Sequence, residues 1–116
     1  MPSLSLRIDL DPDGRIGPGK IALLEQIASL GSISAAARGM GMSYRRAWDR
    51  VEGLNRLFGR PLVEARTGGS KGGGARLTPF GLAVVTRFRA IEQAASAAAA
   101  PQLAELQAEL DRGRPD

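Results

Sequence analysis

Three arginines, Arg45, Arg46 and Arg50, stand together just after Ser43 and Tyr44, with one tryptophan, Trp48, among them. A guanidinium carries five donors in a planar fork, suited to bidentate pairing with a phosphate or with the O6 and N7 edge of guanine. Arginines at helical spacing also do nothing more than keep a helix soluble, so their neighbours must decide between the two roles. Ser43 is a suitable N-cap. Beyond it, Tyr44, Ala47, Trp48, Val51, Leu54 and Phe58 share one helical face, and Arg45, Arg46, Asp49, Arg50, Gly53 and Arg56 fall on or near the other. This pattern predicts one packed face, with Trp48 in the core, and one outward basic face. The Tyr44 hydroxyl lies in the first turn, within reach of a phosphate.

The charge is concentrated around this helix. The 116-residue chain has 16 Lys and Arg against 12 Asp and Glu, a net charge of +4 and a pI near 10.6. Residues 43–76 hold eight basic and three acidic residues, so this stretch alone exceeds the net charge of the whole chain. Such a local positive field suits an anionic polymer. The absence of cysteine removes disulfides and thiol nucleophiles, and the absence of histidine removes the commonest general base and metal ligand. The expectation is therefore no enzyme, no metal and no cofactor. No apolar run approaches the roughly 20 residues of a membrane span. The sequence also lacks a signal-peptide pattern, so a cytoplasmic location and no membrane partner are expected.

The elements that position the arginines follow from periodicity. Leu4, Leu6, Ile8 and Leu10 alternate as in a half-buried strand, and the "DPDG" that follows makes a turn. Asp9, Asp11, Asp13 and Gly14 imitate the start of a calcium-binding loop, but its twelfth position holds Lys20 instead of Glu, and the turn suffices. A first helix runs from Gly19 to a stop at Gly31, and Ser32 caps a short second helix, "ISAAARGM", which Gly41 ends. After the basic helix, "PLVEAR" and "ARLT" form a hairpin around "GGSKGGG". That run fails as a phosphate-binding loop, since no Gly-Lys precedes Ser or Thr and no helix follows it directly. A fourth helix begins at Thr78 and Pro79, carries Leu82, Val85, Phe88, Ile91, Ala95 and Ala98, and is expected to be interrupted at Pro101 before Leu103, Leu106 and Leu110.

Two short helices, a longer basic helix and a glycine-tipped hairpin are the parts of a winged helix-turn-helix, in order. The fold class is mainly α with a small β-sheet (α+β). Residues 1–78 form the DNA-binding domain, 79–112 a dimerisation helix with a helical tail, and 113–116 a disordered end. Double-stranded DNA is the expected partner, through Ser32, Ser43, Tyr44, Arg45, Arg46 and Arg50 of the helices and Arg66, Thr67, Lys71 and Arg76 of the wing. Leu82, Val85, Phe88, Ile91 and Ala95 form the expected homodimer seam. The rival reading is a protein-interaction module that keeps the winged helix without reading DNA; the outward arginines disfavour it.

From Leu4 to Ile91 the chain resembles the N-terminal DNA-binding domain of ModE-type molybdate-responsive regulators, a relative of the LysR-type winged helices. "GSISAAA", "SYRRAW" and "TGGSKGGGARLT" carry the likeness. The resemblance implies a homodimer paired through the fourth helix, with two recognition helices on a palindromic operator and target genes of molybdenum or oxyanion handling. It matches Ser43, Tyr44, Arg45 and Arg46 to the start of the recognition helix and residues 67–74 to the wing. Full-length members add C-terminal oxyanion-binding domains, for which the residues up to Asp116 leave no room. Direct molybdate sensing by this chain is accordingly not expected, and any sensor is expected to be a separate sensor protein, a second chain, or absent.

Overall fold

A computed structural model describes residues 1–66 and 74–115. The chain opens with a hairpin, β1 (Ile8–Leu10) and β2 (Gly14–Ile16), paired antiparallel with Ile8 opposite Ile16. The first strand is thus shorter than the alternation from Leu4 predicted. The Asp-rich turn joins two paired strands, with Asp9 and Arg15 in cross-strand register and ion-paired at 3.2 Å.

Helix α1 (Pro18–Leu30) lies at the centre. Ile21, Leu23, Leu24 and Ile27 are fully buried, on more than one face of the helix, because α1 packs against all the other helices and the wing. Gly31 ends it in the left-handed region (φ 76°), its N–H donating to the Ile27 carbonyl at 2.8 Å. The chain then enters α2 (Ile33–Gly39) and α3 (Tyr44–Phe58). Ala36 and Ala37 of α2 and Ala47 of α3 are buried, so the two helices meet through small side chains and approach closely.

Strands β3 (Val63–Arg66) and β4 (Gly74–Leu77) form the stem of the wing, with Val63 opposite Leu77. This hairpin is fixed at its base. The Ala75 N–H donates to the Gly31 carbonyl at 2.8 Å, and Thr78 N–H donates to the Leu62 carbonyl at 2.9 Å. Buried Thr78 also donates its hydroxyl to the Pro61 carbonyl at 2.8 Å while accepting from Gly81 N–H at 2.9 Å, capping α4 (Pro79–Gly113).

Helix α4 differs from expectation in two ways. It runs through Pro101 without a break. Pro101 and Ala97, whose carbonyl loses its donor, both lie on exposed turns; the cost is one hydrogen bond, and long helical segments on either side carry the register. Second, Val85 and Phe88 are 7% and 2% exposed and belong to the chain's own core, not to a seam. Leu82 and Ile91 are exposed but nine residues apart, half a turn out of phase, so they flank the core stripe on opposite sides. The winged helix-turn-helix expected from the sequence is the observed fold.

Candidate nucleic-acid interface

The interface begins at the α3 N-terminus. Ser43, extended at φ −69° and ψ 155°, accepts the Arg46 N–H at 3.1 Å, and this cap fixes where the helix starts. Ser32 does the same for α2, accepting Ala35 N–H at 2.9 Å. Each hydroxyl is engaged as an acceptor and retains a proton that it can donate to an outside acceptor. Ala47, Val51 and Leu54 hold the opposite side of α3 in the core.

From this anchorage the side chains of α3 diverge. Arg45 and Arg46 are exposed. Arg45 Nε lies 3.5 Å from Asp49 Oδ1, and its guanidinium sits 5.9 Å from the Trp48 ring centroid. Arg50 is half-buried and folds toward the start of α1, with Nη1 4.0 Å from the position a Gly19 Cβ would occupy. The expected cluster of three arginines is therefore two outward cations and one directed at a neighbouring helix.

Trp48 was expected in the core, yet it is 40% exposed. The space beneath α3 is taken by Ala47, with Val51 and Leu54 behind it, and α2 sits too close to admit an indole. Trp48 is displaced to the rim of a cleft of about 420 Å³ between α3 and the wing, lined also by Ser32, Tyr44, Asn55, Ala65 and Gly74. Asn55 ties the far end of the cleft together, its Oδ1 accepting Leu62 N–H at 2.8 Å.

The wing cations are arranged differently from expectation. Val63, Ala65 and Ala75 line the cleft, so by strand alternation Glu64, Arg66 and Arg76 point to the opposite face of the hairpin. Arg76 Nε donates to Glu64 Oε1 at 2.9 Å across the strand pair, and Arg66 is exposed. Thr67 and Lys71 lie outside the described residues. Arg60, part of the same basic stretch, stacks on Phe80 at 3.8 Å from its ring centroid. Charge counting along the chain overstated the number of cations presented on one surface.

No group of metal-binding side chains occurs among the described residues, and none of the described helices is long and apolar enough to cross a membrane. Residues 19–82, from α1 into the first turn of α4, match the bacterial regulatory helix-turn-helix proteins of the lysR family. The chain belongs to that family. It is thereby placed among regulatory proteins, not enzymes. This lysR-family chain is also ModE-like. It is 51% identical over 80 residues to the molybdenum-pterin-binding protein MopA of Rhodobacter capsulatus, covering 69% of this chain and 30% of MopA. It is 43% identical over 76 residues to the DNA-binding transcriptional dual regulator ModE of Escherichia coli (strain K12), covering 66% and 29%. The molybdenum transport protein ModE of Azotobacter vinelandii is 39% identical over 87 residues, covering 75% and 32%. The chain thus spans about three-tenths of the length of these relatives. Among solved structures, the CbnR_DBD-DNA complex is similar with a TM-score of 0.51 at 21% identity, covering 81% of this chain and 92% of that one. A MarR family transcription regulator gives 0.53 at 24%, covering 84% and 70%. These two likenesses concern the fold.

Proposed function

We propose that this protein is a sequence-specific DNA-binding transcription regulator that acts as a homodimer on a palindromic operator. The observation that carries this reading is the pair of exposed cations, Arg45 and Arg46, in the capped first turn of α3, beside an open cleft that ends at the wing. An α-helix fits the major groove, and residues at its N-terminal end meet base edges while the positive helix end favours phosphates. The similar CbnR_DBD fold is described in complex with DNA, and the ModE relative is described as a DNA-binding regulator, which supports the same role here. A DNA target supports a cytoplasmic location. The names of the molybdenum-linked relatives support target genes in molybdenum or oxyanion handling.

The dimer seam is assigned to α4. Leu106 follows Phe88 by 18 residues, five full turns, so it faces the same way as the core but lies beyond it, 68% exposed. Leu110, 54% exposed, continues this face, and Ile91 and Ala95 border it. A helix overhanging its domain with leucines along one side gains stability by burying them against a second copy. The two-fold axis then spaces the recognition helices about 34 Å apart or a multiple of that. The test of DNA reading is Arg45→Ala and Arg46→Ala, measured by anisotropy on a duplex selected from random sequences, with circular dichroism to confirm the fold. Each change should weaken binding by about 1–3 kcal/mol if the residue reads a base. Parental affinity in both variants would overturn the assignment of α3.

A further inference from the structure

The outward side of α3 carries a carboxylate where phosphate binding alone would disfavour one. Asp49 is four residues from Arg45 and one from Trp48, with its side chain 57% exposed on the same outward side. Near a DNA backbone this charge is repelled, and salt-dependent phosphate affinity falls with every anion placed there. Its position makes sense if its task is to hold Arg45. The carboxylate takes the Nε edge of the guanidinium at 3.5 Å, and the indole lies beside the guanidinium at 5.9 Å from the ring centroid. The Arg45 side chain is 83% exposed, so the anion and the ring bias it toward this rotamer without fixing it. Its Nη1 and Nη2 edge stays open, and that edge forms the bidentate pair with guanine O6 and N7. Trp48 has a surface of its own to offer: it is 40% exposed on the cleft rim next to Tyr44, which is 55% exposed. Exposed apolar area that borders a cation in the groove matches the thymine C5-methyl, the one apolar group that the major-groove edge presents.

We propose that Arg45, Trp48 and Asp49 form one base-reading unit, in which Asp49 and the indole aim Arg45 at a guanine and the exposed indole edge covers the methyl group of an adjacent thymine. This unit rests on the DNA-binding reading of α3 and adds its specificity. Asp49 is a positioning residue. Its negative charge also lowers affinity for random DNA, so its effect is to widen the gap between the right sequence and the wrong one. Trp48 is both a positioning residue and a direct contact.

Trp48 is the only tryptophan in the chain, so its emission reports on this one position. The experiment titrates the protein into an end-labelled duplex recovered by selection from random DNA, following label anisotropy and Trp48 fluorescence together. The expected result is a change in Trp48 emission with the same midpoint as the anisotropy. Asp49→Asn should bind random-sequence duplex more tightly than the parent and lose roughly five- to a hundredfold of the ratio between selected and random duplex. Trp48→Ala should lose a similar factor, and Trp48→Phe should retain most of the ratio. A merely structural role would lower affinity for both duplexes together and leave the ratio unchanged. Anisotropy that reports binding while Trp48 emission stays constant would overturn the proposal, as would parental ratios in Asp49→Asn and Trp48→Ala. Anisotropy that reports no binding to any duplex would instead sink the DNA-binding reading, and the base-reading unit with it.

Discussion

Arg89 of α4 grips Glu25 of α1 with both ends of its fork, Nε donating to Oε2 at 3.1 Å and Nη2 to Oε1 at 2.6 Å. Its remaining nitrogen, Nη1, donates to Glu92 Oε1 at 2.6 Å. The hydrogen bonds to Glu25, then those to Glu92, raise the Arg89 pKa further above its ordinary value, so the guanidinium stays charged throughout the working range. This clamp links the long helix to α1 at the edge of the core. Its side chains are about two-fifths exposed, and solvent screening holds the contribution to about 1 kcal/mol. Arg89→Ala should lower stability in urea titration by that amount, with a smaller loss at high salt.

Gly81 sits where the start of α4 crosses the loop before the wing. A Cβ there would lie 2.1 Å from the Leu62 carbonyl oxygen, an obstruction made of backbone that cannot rotate away. Gly81→Ala should destabilise by about 1–3 kcal/mol or more through overpacking. Gly53, inside α3 with nothing within 4 Å of its absent Cβ, is the control. Gly53→Ala should stabilise by about 0.8–1 kcal/mol from helix propensity. Paired thermal melts check both signs.

Among the described residues Thr78 is the one buried polar side chain, and its hydroxyl joins the Pro61 carbonyl to the Gly81 N–H. Thr78→Val keeps the shape and leaves both partners unsatisfied, which should cost about 1–3 kcal/mol. Hydrogen exchange should show the loss first at the Gly81 amide.

Phe88 and Leu106 separate folding from assembly, because five turns of one helix place them on the same side with a core beneath only one of them. Phe88→Ala should cost about 3–5 kcal/mol in monomer stability, since the ring is buried among α1 and its neighbours. Leu106→Glu and Ile91→Glu should leave circular dichroism of the winged domain intact and shift sedimentation equilibrium toward monomer. A parent protein that is monomeric at micromolar concentration would contradict the seam.

What was legible in the sequence is what is decided locally. Gly31, Ser32, Ser43 and Thr78 mark helix ends through their own backbone freedom or hydroxyl chemistry, and each stands at the end it announced. Periodicity also gave the order of helices and the wing. Placement against neighbours was not legible. Trp48 shares a helical face with Val51, but whether an indole or Ala47 occupies the space depends on how closely α2 approaches, a distance set by Ala36 and Ala37 in another helix. Val85 and Phe88 read the same as Leu106 in the apolar stripe, and only the extent of the core beneath α4 separates them. Arg76 counted as a free cation until strand register set it opposite Glu64. The missing strand β2 is three residues long and follows a turn, too short for alternation to reveal.

Selection of binding sites from random duplex DNA with the intact chain decides whether the capped start of α3 reads DNA sequence. One enriched inverted repeat is expected, with guanine–thymine steps in each half-site and half-site centres about one helical turn apart or a multiple of it. Recovered duplexes no more alike than the starting pool, from protein whose circular dichroism shows the native fold, would contradict it.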